Sequence, residues 1–349
     1  MAKMTAKQIA QSLGVSTAAV SLALNGKPGL GAQTREKILT ACKEAGFAMP
    51  QTSQPQQPQQ KTLCFMIFVD ELLRVWENSP FYAYNMQGVE AAATLHGYNT
   101  MIRYLQADSI LSLQNLNFLK SLDGLILLGT DITPRTAGDI RTMLASIPQT
   151  PTVIMDNMSL SSFADCVGND NHGGAYQAVT HLVNQGCRHI AYLCARTRIP
   201  NFDEREVGVM DALRHANLPL FGKIQCSIST EEAYQDLVSW FQSGNPLPDG
   251  IFAENDVLAA AATRAMTVCG ISVPNQVSII GFDNLPITEQ THPPLSTIHS
   301  YKDDLGATAV EMVIHRRWMQ RYCQGRSTGT IKVQMSTELV KRKSVRNMF

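Results

Sequence analysis

The chain has 349 residues, enough for two or three domains with sizeable cores. No apolar run reaches bilayer length and the start, Met1-Ala2-Lys3-Met4-Thr5, has no apolar signal core, so a cytoplasmic protein with no membrane partner is expected. Formal net charge is zero but unevenly placed: residues 1–61 hold seven Lys/Arg against two Asp/Glu, and the remainder 22 against 27. A basic head on an acidic body suits a phosphate-binding module carried by a non-binding one.

Residues 5–25 read as a helix, a tight turn at Gly14 and a second short helix. Thr5 is a good N-cap, Ile9 and Leu13 fall on one face of the first helix, and Ser16 can cap the second. Val20 and Leu24 give the second helix an inward stripe. Thr17, Ala18, Ser21, Leu22 and Asn25 remain outward, a face of mostly small residues that fits a DNA major groove. Gly26-Lys27-Pro28-Gly29 is a loop, and residues 33–45 form a third helix with Ile38, Leu39 and Cys42 inward.

Residues 50–61, with prolines at 50, 55 and 58, exclude a stable helix and mark a linker that reaches about 35 Å at about 3.1 Å per residue. Beyond Thr62 apolar strands alternate with helices. Strands are predicted at 63–69, 100–104, 124–128 and 152–155, then at 189–194, 224–228, 250–253 and 277–282, with a last one at 331–339. Helices are predicted at 82–96, 174–184, 207–216 and 256–269. Near-continuous apolar strands separated by helices argue for buried parallel sheets, and two series of them argue for two lobes. The basic end, Lys341-Arg342-Lys343-Ser344-Val345-Arg346, reads as a solvated tail. The eight cysteines are scattered. Cys187-x-His189 is too weak a pattern for a metal site, so buried reduced thiols, no metal and no cofactor are expected.

Val15-Ser16, Ala19-Val20-Ser21, Leu24-Asn25-Gly26-Lys27-Pro28-Gly29 and Thr34-Arg35-Glu36-Lys37 resemble, without a gap, the DNA-binding domain of the LacI/GalR family of bacterial transcription regulators. Ser79-Pro80-Phe81-Tyr82, Asp123-Gly124-Leu125-Ile126-Leu127, Val167-Gly168-Asn169-Asp170-Asn171, Ala253-Glu254-Asn255-Asp256 and Gly281-Phe282-Asp283-Asn284 resemble that family's effector-binding core. The resemblance implies a small all-α helix-turn-helix domain (1–49), then a two-lobed α/β effector domain of the type I periplasmic-binding-protein fold (62–343) and a tail (344–349). By analogy the N-lobe covers about 62–167 and 300–328 and the C-lobe about 168–299 and 329–343, with crossings near Val167, Ser300 and Thr328. It further implies a repressor of sugar uptake or catabolism genes that binds a pseudo-palindromic operator as a homodimer and a sugar-like effector between its lobes.

In open parallel sheets ligands bind beyond the carboxyl ends of the strands. Asp156, Asn255 and Asp283 stand at such ends, and Arg205 opens a helix behind the strand at 189–194. Together they supply donors and acceptors for a hydroxyl-rich or carboxylated molecule. All four match effector positions of the family, as does Phe81 for an aromatic wall and Ser300 for a polar contact near a crossing. The segment 71–78 is longer than the family's usual connection and brings Arg74, Trp76 and Asn78 to the cleft mouth, with Trp76 a candidate for stacking on a sugar. A solute-binding protein or a Rossmann-type enzyme is disfavoured: the head is basic, and no Gly-x-Gly-x-x-Gly, Walker loop or Gly-x-Ser-x-Gly is present.

By the same resemblance Thr17, Ala18 and Leu22 read bases, while Thr5, Ser16, Ser21, Asn25 and Thr34 touch phosphates. Two departures stand out. The linker lacks the family's wedge leucine, and Pro55 and Pro58 break the short helix that carries it, which predicts coupling through dimer geometry and linker reach. At position 22 the family's usual arginine is replaced by leucine, which cannot make a bidentate guanine contact worth about 1–3 kcal/mol of discrimination. Selection of binding sites from random duplexes is expected to return a motif whose central CG is weak or replaced; full-strength CG would contradict this reading of Leu22.

Overall fold

The structure is a computed structural model that describes residues 4–25, 27, 29–45, 47, 61–73, 80–323 and 329–347. The chain divides into two units, Met1–Gln60 and Lys61–Phe349. The predicted linker, apart from Lys61, and the segment with Arg74, Trp76 and Asn78 lie outside the described residues.

The first unit is three helices: α1 (Ala6–Ser12), α2 (Thr17–Leu24) and α3 (Ala32–Glu44). Thr5 caps α1 in a reciprocal capping box with Gln8, an arrangement worth roughly 0.5–2 kcal/mol. Gly14 turns the chain at φ 64°, a conformation glycine adopts without a Cβ penalty. The Ser16 hydroxyl accepts from the Ala19 N–H at 3.1 Å and so starts α2. Ile9, Ala10, Val20, Ala23, Ile38 and Cys42 form the core of this unit. Ala23 takes the inner place on α2; Leu24 is only partly buried and packs at the margin.

The second unit holds two sheets. In chain order its elements are β1 (Lys61–Val69), α4 (Phe81–Leu95), β2 (Tyr98–Gln106), α5 (Leu113–Lys120), β3 (Gly124–Leu128), α6 (Pro134–Ala145), β4 (Thr152–Met155), β5 (Asp165–Asn169), α7 (Asn171–Asn184), β6 (Ile190–Ala195), α8 (Pro200–His215), β7 (Gly222–Cys226), α9 (Thr230–Gln242), β8 (Gly250–Ala253), α10 (Asp256–Val268), β9 (Ser278–Asp283), α11 (Ile287–Gln290), β10 (Ser296–His299), α12 (Lys302–Tyr322), β11 (Lys332–Met335) and β12 (Glu338–Val340). The first sheet runs β11-β5-β4-β3-β1-β2, all parallel. The second runs β12-β10-β9-β8-β6-β7, parallel except that β12 is antiparallel to β10. Each sheet reverses its strand order beside its first strand, between β1 and β3 and between β6 and β8, which is where parallel sheets open a crevice.

Apolar side chains cover both faces of the inner strands, so β1, β3, β4, β6, β8 and β9 read as near-continuous hydrophobic runs. The helices α4 and α12 approach so closely that a Cβ on Gly88 would lie 1.9 Å from the Asp303 carbonyl oxygen, and one on Gly306 would lie 2.1 Å from that of Asn85. Only glycine fits either place.

Three expectations are corrected. The segment read as one strand at 331–339 is two, β11 in the first sheet and β12 in the second, so the third crossing falls at Ser336-Thr337 rather than near Thr328. The first crossing follows Asn169 rather than Val167, because β5 runs to that residue. The tail is not free: Ser344 is fully buried with its hydroxyl donating to the Ile279 carbonyl at 2.6 Å, and Val345 packs into the second lobe's core. Among the described residues no helix is long and apolar enough to cross a membrane.

Gly88→Val is expected to lower the unfolding free energy by about 3 kcal/mol, the upper part of the usual overpacking range, because the obstacle is backbone. Gly138→Ala, on an exposed helical site with nothing near its Cβ, should raise it by about 0.5–1 kcal/mol. Urea titrations of both variants check this; a neutral Gly88→Val would contradict the close α4–α12 packing.

Candidate effector site between the lobes

The site grows from the carboxyl ends of the strands. Beyond β1, α4 places Phe81 and Tyr82; beyond β3 stands Thr130, and beyond β4 stands Asp156. Beyond β6, α8 supplies Asn201, Phe202 and Arg205; Asn255 stands beyond β8, and β9 ends at Asp283. With Ile199 these residues line one cavity between the two lobes. Sequence reasoning therefore brought Phe81, Asp156, Arg205, Asn255 and Asp283 to one place. It missed Tyr82, Thr130, Ile199, Asn201 and Phe202.

Arg205 sits in the second turn of α8, not at its start, because the helix begins at Pro200, seven residues before the predicted start at Val207. That longer helix puts Asn201, Phe202 and Arg205 on one face at helical spacing. Its guanidinium is 4% exposed and richly held. Nε donates to Asn171 Oδ1 at 2.9 Å, Nη1 donates to the Glu254 carbonyl, and Nη2 lies 3.4 Å from Asp283 Oδ1. Its flat face covers the Phe282 ring with 3.7 Å between guanidinium carbon and centroid. The remaining N–H donors are left for a ligand.

Asp283 and Asp156 both have left-handed backbone, φ 108° and 63°, a conformation costly for residues with a Cβ and concentrated at ligand sites. The Asp283 turn is held from behind, where Lys302 Nζ donates to its carbonyl and the Ser300 hydroxyl donates to the same oxygen at 3.3 Å. Ser300 thus supports Asp283 and lines a separate hollow with Tyr84, Asn284, Lys302 and Arg342; it is not among the cavity residues, which corrects its expected place. Burial raises the Asp283 carboxyl above its ordinary range while Arg205 and Lys302 pull it down. Asp156 accepts from the Thr130 hydroxyl at 2.6 Å, and its carbonyl accepts from Asn201 Nδ2 at 3.1 Å. Asn255 uses Oδ1 to cap α10 by accepting from the Leu258 N–H at 2.9 Å, so its amide N–H donors remain for the cavity. It serves as a helix cap and as lining at once.

Behind the cavity, the fully buried Glu254 accepts from the Tyr192 hydroxyl, the Ala195 N–H at 2.8 Å and Arg198. These bonds fix the loop that leads into α8. A signal for the missed residues was present: Thr130 follows a predicted strand end, and Pro200 is a helix-start residue.

In the first unit Thr5, Ser16, Thr17, Ala18, Ser21, Asn25 and Thr34 are exposed. Leu22 is half-buried, and Arg35 donates to its carbonyl at 3.4 Å. The Asn25 amide is engaged by the Ser21 carbonyl at 2.9 Å.

Comparison with known proteins adds independent observations. A family profile described as a periplasmic binding protein-like domain matches residues 179–345. The HTH-type transcriptional repressor PurR of Photobacterium profundum is 28% identical, covering 99% of each chain. That of Haemophilus influenzae is 26% identical, also over 99% of each. Among solved structures, a lac repressor dimer bound to operator and the anti-inducer ONPF superposes with a TM-score of 0.70 at 22% identity, covering 98% of this chain and 99% of the other. A complex of the transcriptional regulator CelR with cellobiose gives 0.68 at 22% identity over the same shares. A LacI family regulator from Enterococcus faecium with bound ribose gives 0.66 at 22% identity, covering 82% of this chain and 100% of the other. A three-helix head, a two-lobed parallel α/β domain and end-to-end similarity to HTH-type transcriptional repressors agree: the chain is built like a LacI/GalR-type transcriptional regulator.

Proposed function

We propose that this chain is a ligand-responsive repressor of sugar uptake and catabolism genes, with a sugar or sugar derivative as effector in the cavity between its lobes. The observation that carries the reading is the convergence of Arg205, Asp156, Asp283, Asn255 and Asn201 with the aromatic walls Phe81 and Phe202. Apolar walls with a few placed donors and acceptors suit a small polyhydroxy molecule. Neighbours in fold whose ligands are cellobiose and ribose support it.

The head, residues 1–49, reads duplex DNA with Thr17, Ala18 and Leu22 toward bases and with Thr5, Ser16, Ser21, Asn25 and Thr34 toward phosphates. One small reader has modest affinity, so two copies on a pseudo-palindromic operator are proposed. The open edge strand β2 leaves Ile102 and Tyr104, on one face, 46% and 55% exposed, apolar surface that suits a second copy.

Operator binding by fluorescence anisotropy, with D-ribose and cellobiose as first probes, tests the proposal. Wild-type protein should release or tighten on the operator with one of the sugars. Arg205→Lys, which keeps the charge but loses the planar fork, should bind operator as wild type and respond to the sugar roughly tenfold to a hundredfold more weakly. An unchanged sugar response in this variant would remove the cavity from the account.

A further inference from the structure

We propose that Asp156 holds a proton in a large share of ligand-free molecules at neutral pH, so that binding of a neutral sugar between the lobes is coupled to proton release. The proposal rests on the sugar-site reading for its ligand, but the titration belongs to the protein alone.

The cavity encloses two carboxyls, Asp156 at 4% and Asp283 at 5% exposure, and its lining offers one guanidinium, that of Arg205. The guanidinium gives one donor each to Asn171, Glu254 and Asp283 and makes no hydrogen bond to Asp156. Asp283 has a second cation behind it in Lys302, whereas Asp156 has neutral hydrogen-bond partners, Thr130 and Asn201, and shares Arg205 at a distance. The Asp156 backbone is fixed, its N–H donating to the Val167 carbonyl at 2.8 Å and its carbonyl accepting from Asn201, so the carboxyl is held in place.

The titratable groups coupled to it are Tyr82 on α4, Arg205 on α8 and Asp283 at the end of β9; Asp131, in the loop after β3, acts on Tyr82. Of these, Asp283 is the one other carboxyl and Arg205 the one cation. Two like charges in a water-poor site with one shared counter-ion disfavour double ionisation. Burial accordingly pushes the Asp156 carboxyl up to about 7; the Thr130 hydrogen bond, Arg205 and the Asn201 amide oppose the rise, and Asp283 adds to it.

A protonated Asp156 donates one hydrogen bond, while an ionised one only accepts. A sugar hydroxyl donating to Asp156 makes the stronger, charge-assisted bond with the ionised form. Neutral sugars should then bind more tightly as pH rises through neutrality, whereas a phosphorylated sugar would meet added negative charge and prefer the protonated cavity.

Full-length wild type and Asp156→Asn are compared by urea unfolding at a series of pH values. The folded protein holds this proton to higher pH than the unfolded chain, so wild type loses stability relative to the variant as pH rises from about 4 to about 7, with no further loss above. The ratio of their unfolding constants should change by roughly tenfold or more across that window; a ratio that is flat with pH overturns the proposal. Should the variant not fold, the carboxyl 13C resonance of Asp156 in wild type decides: a midpoint between about 6 and 8 supports it, and one below about 5 overturns it. A carboxyl that titrates near neutral in a protein binding neither D-ribose nor cellobiose at any pH would overturn the sugar reading alone.

Discussion

The buried guanidinium of Arg205 is the interaction on which the effector lobe is organised. A charge taken out of water is tolerated only where its donors are satisfied, and here the partners come from three separate elements. Asn171 stands in the first turn of α7, Glu254 follows β8, and Asp283 ends β9. One side chain on α8 thereby ties the crossing from the first lobe to two strand ends of the second. Glu254 extends the web through Tyr192 and Arg198 to the loop that begins α8. A change at any member moves the cavity wall, because the partners left behind would be buried and unpaired.

The same logic explains why the polar groups can be so deep. Each strand-end residue does two things at once: Asn255 caps a helix and faces the cavity, Asp283 forms a turn and faces the guanidinium. Their backbones are set by capping, left-handed φ values and hydrogen bonds from Ser300 and Lys302, so the groups lining the cavity are already in place. Preorganised groups of this kind bind without a large ordering cost.

Much of this was legible in the sequence where the physical signal is local. Strands β3, β4 and β8 are buried on both faces, and their unbroken apolar runs give their ends to the residue. The helix-turn-helix head is legible because Thr5, Gly14 and Ser16 each act through their own backbone. Strands β5 and β10 escaped because they mix polar residues into short runs. Asp165 is stabilised by Arg316 far along the chain, and the Ser296 N–H by the Ser344 hydroxyl at 2.8 Å. The start of α8 was hidden by its charged run 203–206, although Pro200 marks it. The break at Ser336-Thr337, between strands of different sheets, carries no local mark. Ser300 matched a polar cleft position by resemblance, yet its hydroxyl turns to a backbone carbonyl, a choice that only tertiary packing decides.

A small molecule read between the lobes and a duplex read by the head make one regulator only if the reading residues are those around Arg205. A crystal structure of the protein grown with the compound that shifts its operator binding tests this most directly. The account predicts density for that compound among Arg205, Asp156, Asp283 and Asn255, between Phe81 and Phe202. Density in another hollow, such as that beside His292 and Pro293, with this cavity empty, would contradict it.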